Sequence, residues 1–471
     1  MSSGSTGAGS RRPDKDESPA DNAVTVVDTS MLRRTVTATA IGNMMEWFDF
    51  GIFSYMAVTV GAVFFPRASG PVQLLSTFAT FAAAFLVRPL GGFFFGPLGD
   101  RIGRKRVLAA TMITMAAGTF SIGLVPGYAS IGIWAPVLLV TARLVQGFSA
   151  GGEYGSAMTF IAEHAPDRRR GYLASWLEFG TLAGFVLGAS LVTALTATLS
   201  HRDMLTWGWR IPFLIAGPLG LVGVYLRFKL EETPVYAQLD PRTVRETGLR
   251  TELRRIFGEQ RRPLLVCIGL ALVWNVTSYM LPAYLPSYLS AELGLRRTTA
   301  LAIVVAVLVV LMVLVTFVGR LSDRVGRRPV LMAGCLLLVT GSVPAFLLIR
   351  HGTVGVVFLG CQLIGLMFVC FEGAAPATLP ALFPTEVRAG SLSVAFNLSV
   401  SLFGGTTPLF TQALVHATHN LLAPGFYLAG AGLVGGLAVL FTPETAGRPL
   451  PGSAPAVDNP RPPTRRCRTG G

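Results

Sequence analysis

Charge is scarce in this chain. Of its 471 residues only 14% are Asp, Glu, Lys or Arg, against about 25% in soluble proteins, which excludes an ordinary soluble enzyme. Cysteine is scarce as well. Cys267, Cys335, Cys361 and Cys370 stand in apolar runs and Cys467 in a polar tail, so free thiols are expected instead of a disulfide framework. No Walker loop, H-E-x-x-H helix, zinc-ligand spacing or nucleophile elbow is expected, which argues against an enzyme and against transport driven by ATP hydrolysis in this chain. Acidic residues number 25 against 39 basic ones, a net charge of +14. No nucleic-acid module accompanies that excess, so it is read as an orientation signal in contact with anionic lipid.

Apolar residues are abundant, at 51% of the chain. A mean hydropathy of +0.56 in a chain with polar ends requires many apolar segments of about 20 residues, the length that crosses a bilayer core. The 53 glycines and 30 prolines suit membrane helices, where small residues permit close packing. Twelve apolar spans are expected, at 36–64, 72–98, 107–126, 132–162, 171–199, 208–228, 263–290, 298–319, 330–349, 353–381, 389–416 and 421–442. Residues 1–35 carry no cleavable leader pattern and are expected to form a disordered cytoplasmic arm. Residues 229–262 read as a charged linker and 443–471 as a Pro- and Arg-rich tail.

With both termini inside, only Arg67, Arg202, Arg296, Arg297 and Arg350 fall on outer loops, and Arg88, Arg143 and Arg210 within spans. Every other basic residue is cytoplasmic, which fixes the expected orientation in a cell membrane. The segment from Gly96 through Asp100, Arg101, Gly103 and Arg104 recurs from Gly319 through Asp323, Arg324, Gly326 and Arg327, each time between the second and third spans of a group of six. Pro166 to Arg170 likewise matches Pro384 to Arg388, and Glu232-Thr233 matches Glu444-Thr445. The fold class is therefore an all-α membrane protein of twelve transmembrane helices in two homologous six-helix bundles, 36–228 and 263–442. A substrate site between such halves is reached alternately from each side.

The paired G-x-L-x-D-R-x-G-R-[KR] loops resemble the signature of the major facilitator superfamily. Gly42 to Gly51, Arg88-Pro-Leu-Gly-Gly, Gln146 to Tyr154, Trp207 to Phe213 and Glu231-Glu232-Thr-Pro resemble the metabolite:proton symporters within it. Asn275 to Met280, Pro286 to Ser290, Thr378 to Thr385 and Glu444 to Gly452 most resemble that family's osmoregulated proline/betaine carriers. The resemblance implies uptake of proline, glycine betaine or similar zwitterions with a proton and no other cofactor, activated by high osmolality. Organic-acid symport, drug:proton antiport and a non-transporting solute sensor remain alternatives. The tail lacks the coiled-coil heptads of longer relatives and is expected to matter little to activation.

Ionisable groups inside a span are costly and face a bundle interior or aqueous path. Glu46 and Asp49, three residues apart, share a helix face at a depth of about 15 to 20 Å, matched by Arg88 on the second span. Either one of the two carboxylates pairs with Arg88 and the other takes up a proton, or the three form a fully paired structural cluster. Arg143, Glu153, Glu178 and Glu372 complete the proton-handling candidates, although Glu372 departs from the family pattern. Trp47, Tyr55, Trp274, Tyr279 and Tyr284 are aromatic candidates for a substrate cation, with Asn275 and Asn397 as amide partners, packing or an interfacial belt being the other role open to most of the rings. Trp207, Trp209 and Arg210 are expected to anchor the outer entrance of the sixth span. In the signature loops, Gly103 and Gly326 permit the turn. Asp100 and Asp323 are expected at a neighbouring helix N-terminus, with Arg101, Arg104, Arg324 and Arg327 closing a breakable latch. No metal site is expected, and a monomer is adequate for all of this.

Overall fold

Why the spans are not uniform rods follows from their sequence. The computed structural model describes residues 25–27, 29–102, 104–228 and 258–458, and all twelve expected apolar stretches are helical there. Seven rods are long and apolar enough to cross a bilayer alone: the second, fifth, seventh, eighth, ninth, tenth and twelfth. Two more are bent pairs, Leu32–Tyr55 with Ala57–Phe64 at 59° and His201–Gly208 with Arg210–Gly223 at 42°. The third is Arg104–Leu124. The fourth runs Trp134–Ser149, breaks at Ala150–Gly152 and resumes as Glu153–His164. The eleventh runs Arg388–Ser399, widens at Val400–Gly404 and resumes as Thr407–Thr418. A similar widening at Met280–Tyr284 in the seventh contains Pro282, which has no N–H to give the helix.

In the first half, span one packs on spans five and six, two on four, and three on four and six. In the second, seven packs on twelve, eight on ten, and nine on ten and twelve. The halves meet mainly where span five lies against spans eight and ten. Spans two and four touch backbone to backbone, because a Cβ on Gly147 would sit 1.8 Å from the Ala84 carbonyl oxygen. Gly147→Ala is expected to force these spans apart, costing about 2–3 kcal/mol, visible as a lower unfolding temperature of the purified protein.

One expectation for the termini is corrected, and the tail shows more order than its composition announced. The arm does not stay unstructured to residue 35: helix begins at Thr29, since Leu32 and Val36 bury in the core. Thr25–Val27 pairs in parallel with Ala456–Asp458. The tail, in turn, is structured through residue 458 as a strap. Arg170 of the first half donates to the Arg448 carbonyl at 3.0 Å, and Arg388 of the second to the Pro451 carbonyl at 2.8 Å. Ala456 N–H then returns to Asp167 of the first half at 3.1 Å. Leu450 is buried with Ala162 and Ala381, one from each half. The expected arm, linker and tail residues 1–24, 229–257 and 459–471 lie outside the described residues.

Candidate functional site

Two charged groupings are buried in the interior of the first half. Arg88 pairs with Glu46 at 3.1 Å through Nη2, which also donates to the Ala150 carbonyl, and its guanidinium lies over Phe50 and Phe85. Asp49 accepts from Thr119 at 3.1 Å, Gln146 donates to Thr119 at 2.9 Å, and Arg143 donates to Gln146 at 2.5 Å. Arg143 and Asp49 are thus joined through two neutral side chains. The Arg143 guanidinium packs on Phe53 at 4.2 Å, and its Nε and Nη2 have no acceptor. Asp49 and the Tyr279 hydroxyl of the other half lie within its electrostatic reach. A buried cation with donors to spare, beside a carboxylate that no cation among the described residues bonds directly, is a site where a proton or an anionic group changes the balance.

An aromatic layer from both halves covers this cluster. Trp47 packs against Tyr154, Phe185 and Tyr279, with centroids 6.0, 5.3 and 5.8 Å away, and Tyr279 also meets Phe85. Tyr154, Trp274 and Phe396 form a second group. Asn43 fixes Trp47 by accepting from its indole while donating to Thr181. Glu178 accepts from Tyr154, and Glu372 accepts from Trp274 at 2.6 Å and Ser278 at 3.3 Å.

The remaining candidates divide. Asn397 reaches across the halves to the Gly151 carbonyl at 2.6 Å. Asn275 donates to Ala271 on its own helix at 2.8 Å. Tyr55 and Tyr284 are buried, and their hydroxyls have no partner among the described residues; the Tyr284 ring lies tilted against Phe78. Trp209 is corrected from anchor to packing: it is buried against Phe64, while Trp207 is exposed and Arg210 donates to the Gly123 carbonyl. The string Gly147-Phe-Ser-Ala-Gly151 has the spelling of a nucleophile elbow but lies within the fourth span, where Ser149 donates to the Val145 carbonyl. Tyr154, Phe396, Gln146, Thr119 and Asn43 were missed. Gln146, one turn from Arg143, was the findable one.

On the face carrying the basic loops, Asp323 accepts from the backbone N–H groups of Gly171 and Tyr172 at 2.8 Å each, at the start of span five. Arg327 is buried, donating to Asp323, Ala377 and Thr445. Gly326 has φ of 109°, and a Cβ there would meet Glu444, which accepts from Arg327 N–H and Arg328 N–H. Although partial burial opposes it, these backbone bonds hold the Glu444 carboxyl below its usual range. Arg324 is exposed and takes no part in the latch among the described residues. Gly103 and the side chains of Asp100, Arg101, Arg104 and Glu153 lie outside the described residues. A second contact spans the halves at Arg388 and Glu163, 2.7 Å apart. The opposite face closes too, where Arg297 donates to the Tyr55 carbonyl at 2.8 Å.

Residues 39–408, and in a second match 285–466, fit the description Major Facilitator Superfamily. The chain belongs to that superfamily. Its relatives include the proline/betaine transporter of Salmonella typhimurium, 45% identical over 442 residues that make up 93% of this chain and 88% of the relative. The glycine betaine/proline/ectoine/pipecolic acid transporter OusA of Dickeya dadantii is 46% identical over the same shares. Among solved structures, the proton:xylose symporter XylE bound to 6-bromo-6-deoxy-D-glucose superposes with a TM-score of 0.71 at 20% identity, covering 90% of this chain and 98% of the other. XylE from E. coli in a partially occluded inward open conformation gives 0.68 at 21%, over 90% and 100%. At that identity they establish the fold, a multi-pass major facilitator bundle.

Proposed function

We propose that this major facilitator protein is a proton-coupled symporter that imports proline, glycine betaine and related zwitterions by alternating access, with both termini in the cytoplasm of a cell-membrane setting. The observation that carries the reading is the junction of Arg143, Asp49 and an aromatic layer built from both halves. Arg143 offers uncommitted donors to a carboxylate, the rings of Trp47 and Tyr279 offer faces to a quaternary or secondary ammonium, and Asp49 offers a proton-accepting group. The transporter relatives support the substrate class. The proton is the sole coupling partner invoked, anionic lipid bathes the basic loops, and uptake rises with osmolality. One proton crossing 100 mV supplies about 2.3 kcal/mol, roughly 50-fold accumulation of a neutral zwitterion.

Uptake of labelled proline and glycine betaine into proteoliposomes, with and without an imposed pH gradient, tests this. Competition by dicarboxylates, tricarboxylates and aromatic acids separates the organic-acid alternative. Binding without flux would show a sensor. Asp49→Asn is expected to lower gradient-driven accumulation roughly tenfold while exchange of internal for external substrate persists. Normal accumulation by this variant would place the coupling elsewhere.

A further inference from the structure

Glu178 and Glu372 come from opposite halves, on the fifth and tenth spans, which pack together, and the two rings that bond them, Tyr154 and Trp274, have centroids 6.1 Å apart, so the carboxyl groups lie within each other's reach. Both side chains are almost wholly inaccessible, at 0% and 1% exposure. One oxygen of each is committed: Glu178 Oε1 accepts from Tyr154, and Glu372 Oε1 from Trp274 and Ser278. The Oε2 atoms of both are buried and have no donor. The groups facing the pair are Tyr154 from span four, Thr181 from span five, and Trp274 and Ser278 from span seven. Among the described residues no guanidinium bonds either carboxyl.

Two carboxylates cannot both be ionised in contact inside a dry interface, whereas one shared proton turns the repulsion into a hydrogen bond and supplies the missing donor. We infer that Glu178 and Glu372 form a proton-held clasp between the two halves: the shared proton favours closure of the cytoplasmic side, and its loss to water during a transient opening holds that side open. The pair lies about 12 Å from the start of span five at Arg170 and about 9 Å from the end of span ten at Thr378, so opening that side admits water to it. The step is a proton transfer only: the O–H bond of one carboxyl breaks, the proton passes to water of the opened cavity, and two carboxylates remain that repel each other. Re-closure requires a proton to be regained. The assignment rests on the symport reading and adds to it a pH-dependent gate on the cytoplasmic side, separate from the coupling carboxylate Asp49.

Two readouts on the full chain in proteoliposomes keep the assignments apart. Thiol labelling at Ser393→Cys, which faces Gly155 across the halves, reports opening of the cytoplasmic side and needs no transport. With native Glu178 and Glu372, labelling is expected to rise as internal pH rises. In Glu372→Gln and Glu178→Gln the amide donates to the remaining carboxylate permanently, so labelling should stay low and flat with pH, and net uptake should fall at least roughly tenfold. Labelling that does not vary with pH in the native pair, or varies equally in both amide variants, overturns the clasp whatever the transport data show. Uptake by the native protein that ignores the pH gradient overturns the symport reading instead, while a pH-dependent labelling profile lost in the variants would still support the clasp.

Discussion

Asp323→Ala is expected to loosen the side that carries the basic loops by about 3 kcal/mol, roughly a hundredfold shift from closed toward open. The carboxylate takes both Gly171 N–H and Tyr172 N–H, two orphan donors of the first turn of span five, where the helix dipole also favours negative charge. Bonds to a charged acceptor are worth about 1.5–3 kcal/mol each, and part of the loss returns when water reaches the exposed N–H groups. Removal also strips buried Arg327 of its carboxylate partner. Asp323→Asn keeps one acceptor oxygen and should fall between the two. Labelling at Ser393→Cys should rise strongly in the alanine variant, with uptake reduced and protein yield retained. Unchanged labelling would leave the loop only its role in setting orientation.

Periodicity and composition revealed the fold because membrane spans announce themselves: every apolar stretch became helix. The charged candidates were legible for the same reason, since Glu46, Asp49, Arg88 and Arg143 are expensive in a bilayer and must gather. Which carboxylate pairs with Arg88 was not, because Glu46 and Asp49 share a face and only the neighbouring spans decide. Thr119 on span three captures Asp49, leaving Glu46 to Arg88. Asn275 illustrates the opposite failure. An amide in a span looks like a ligand group, yet one of its two N–H donors is taken by the carbonyl one turn back. Repeats marked Arg170 and Arg388 as equivalent without saying what they hold. Their common task is to grip the tail, which a Pro-rich sequence without apolar periodicity does not advertise.

Removing that grip is expected to have the second large effect, contrary to the expectation that the tail is immaterial. Truncation before Leu450 deletes the side chain wedged between Ala162 and Ala381 and the Pro451 carbonyl held by Arg388 and Thr385. It also deletes the Ala456 contact with Asp167 and the strand paired with Thr25–Val27. Loss of one buried leucine costs about 2–5 kcal/mol in a well-packed core, and the lower end suits a wedge at the interface of two moving halves. The Leu450 wedge and the Ala456 contact tie the second half's tail to the first half, so their loss favours opening more than it favours unfolding. Truncation after Asp458 removes Arg461, Arg465, Arg466 and Arg468 but leaves the strap, and separates the two parts of the tail. The expected result is a rise in Ser393→Cys labelling, and a lower osmolality for half-maximal uptake, in the shorter protein only. An equal shift in both truncations would assign the effect to the basic residues on anionic lipid, and no shift in either would make the strap a passive packing element.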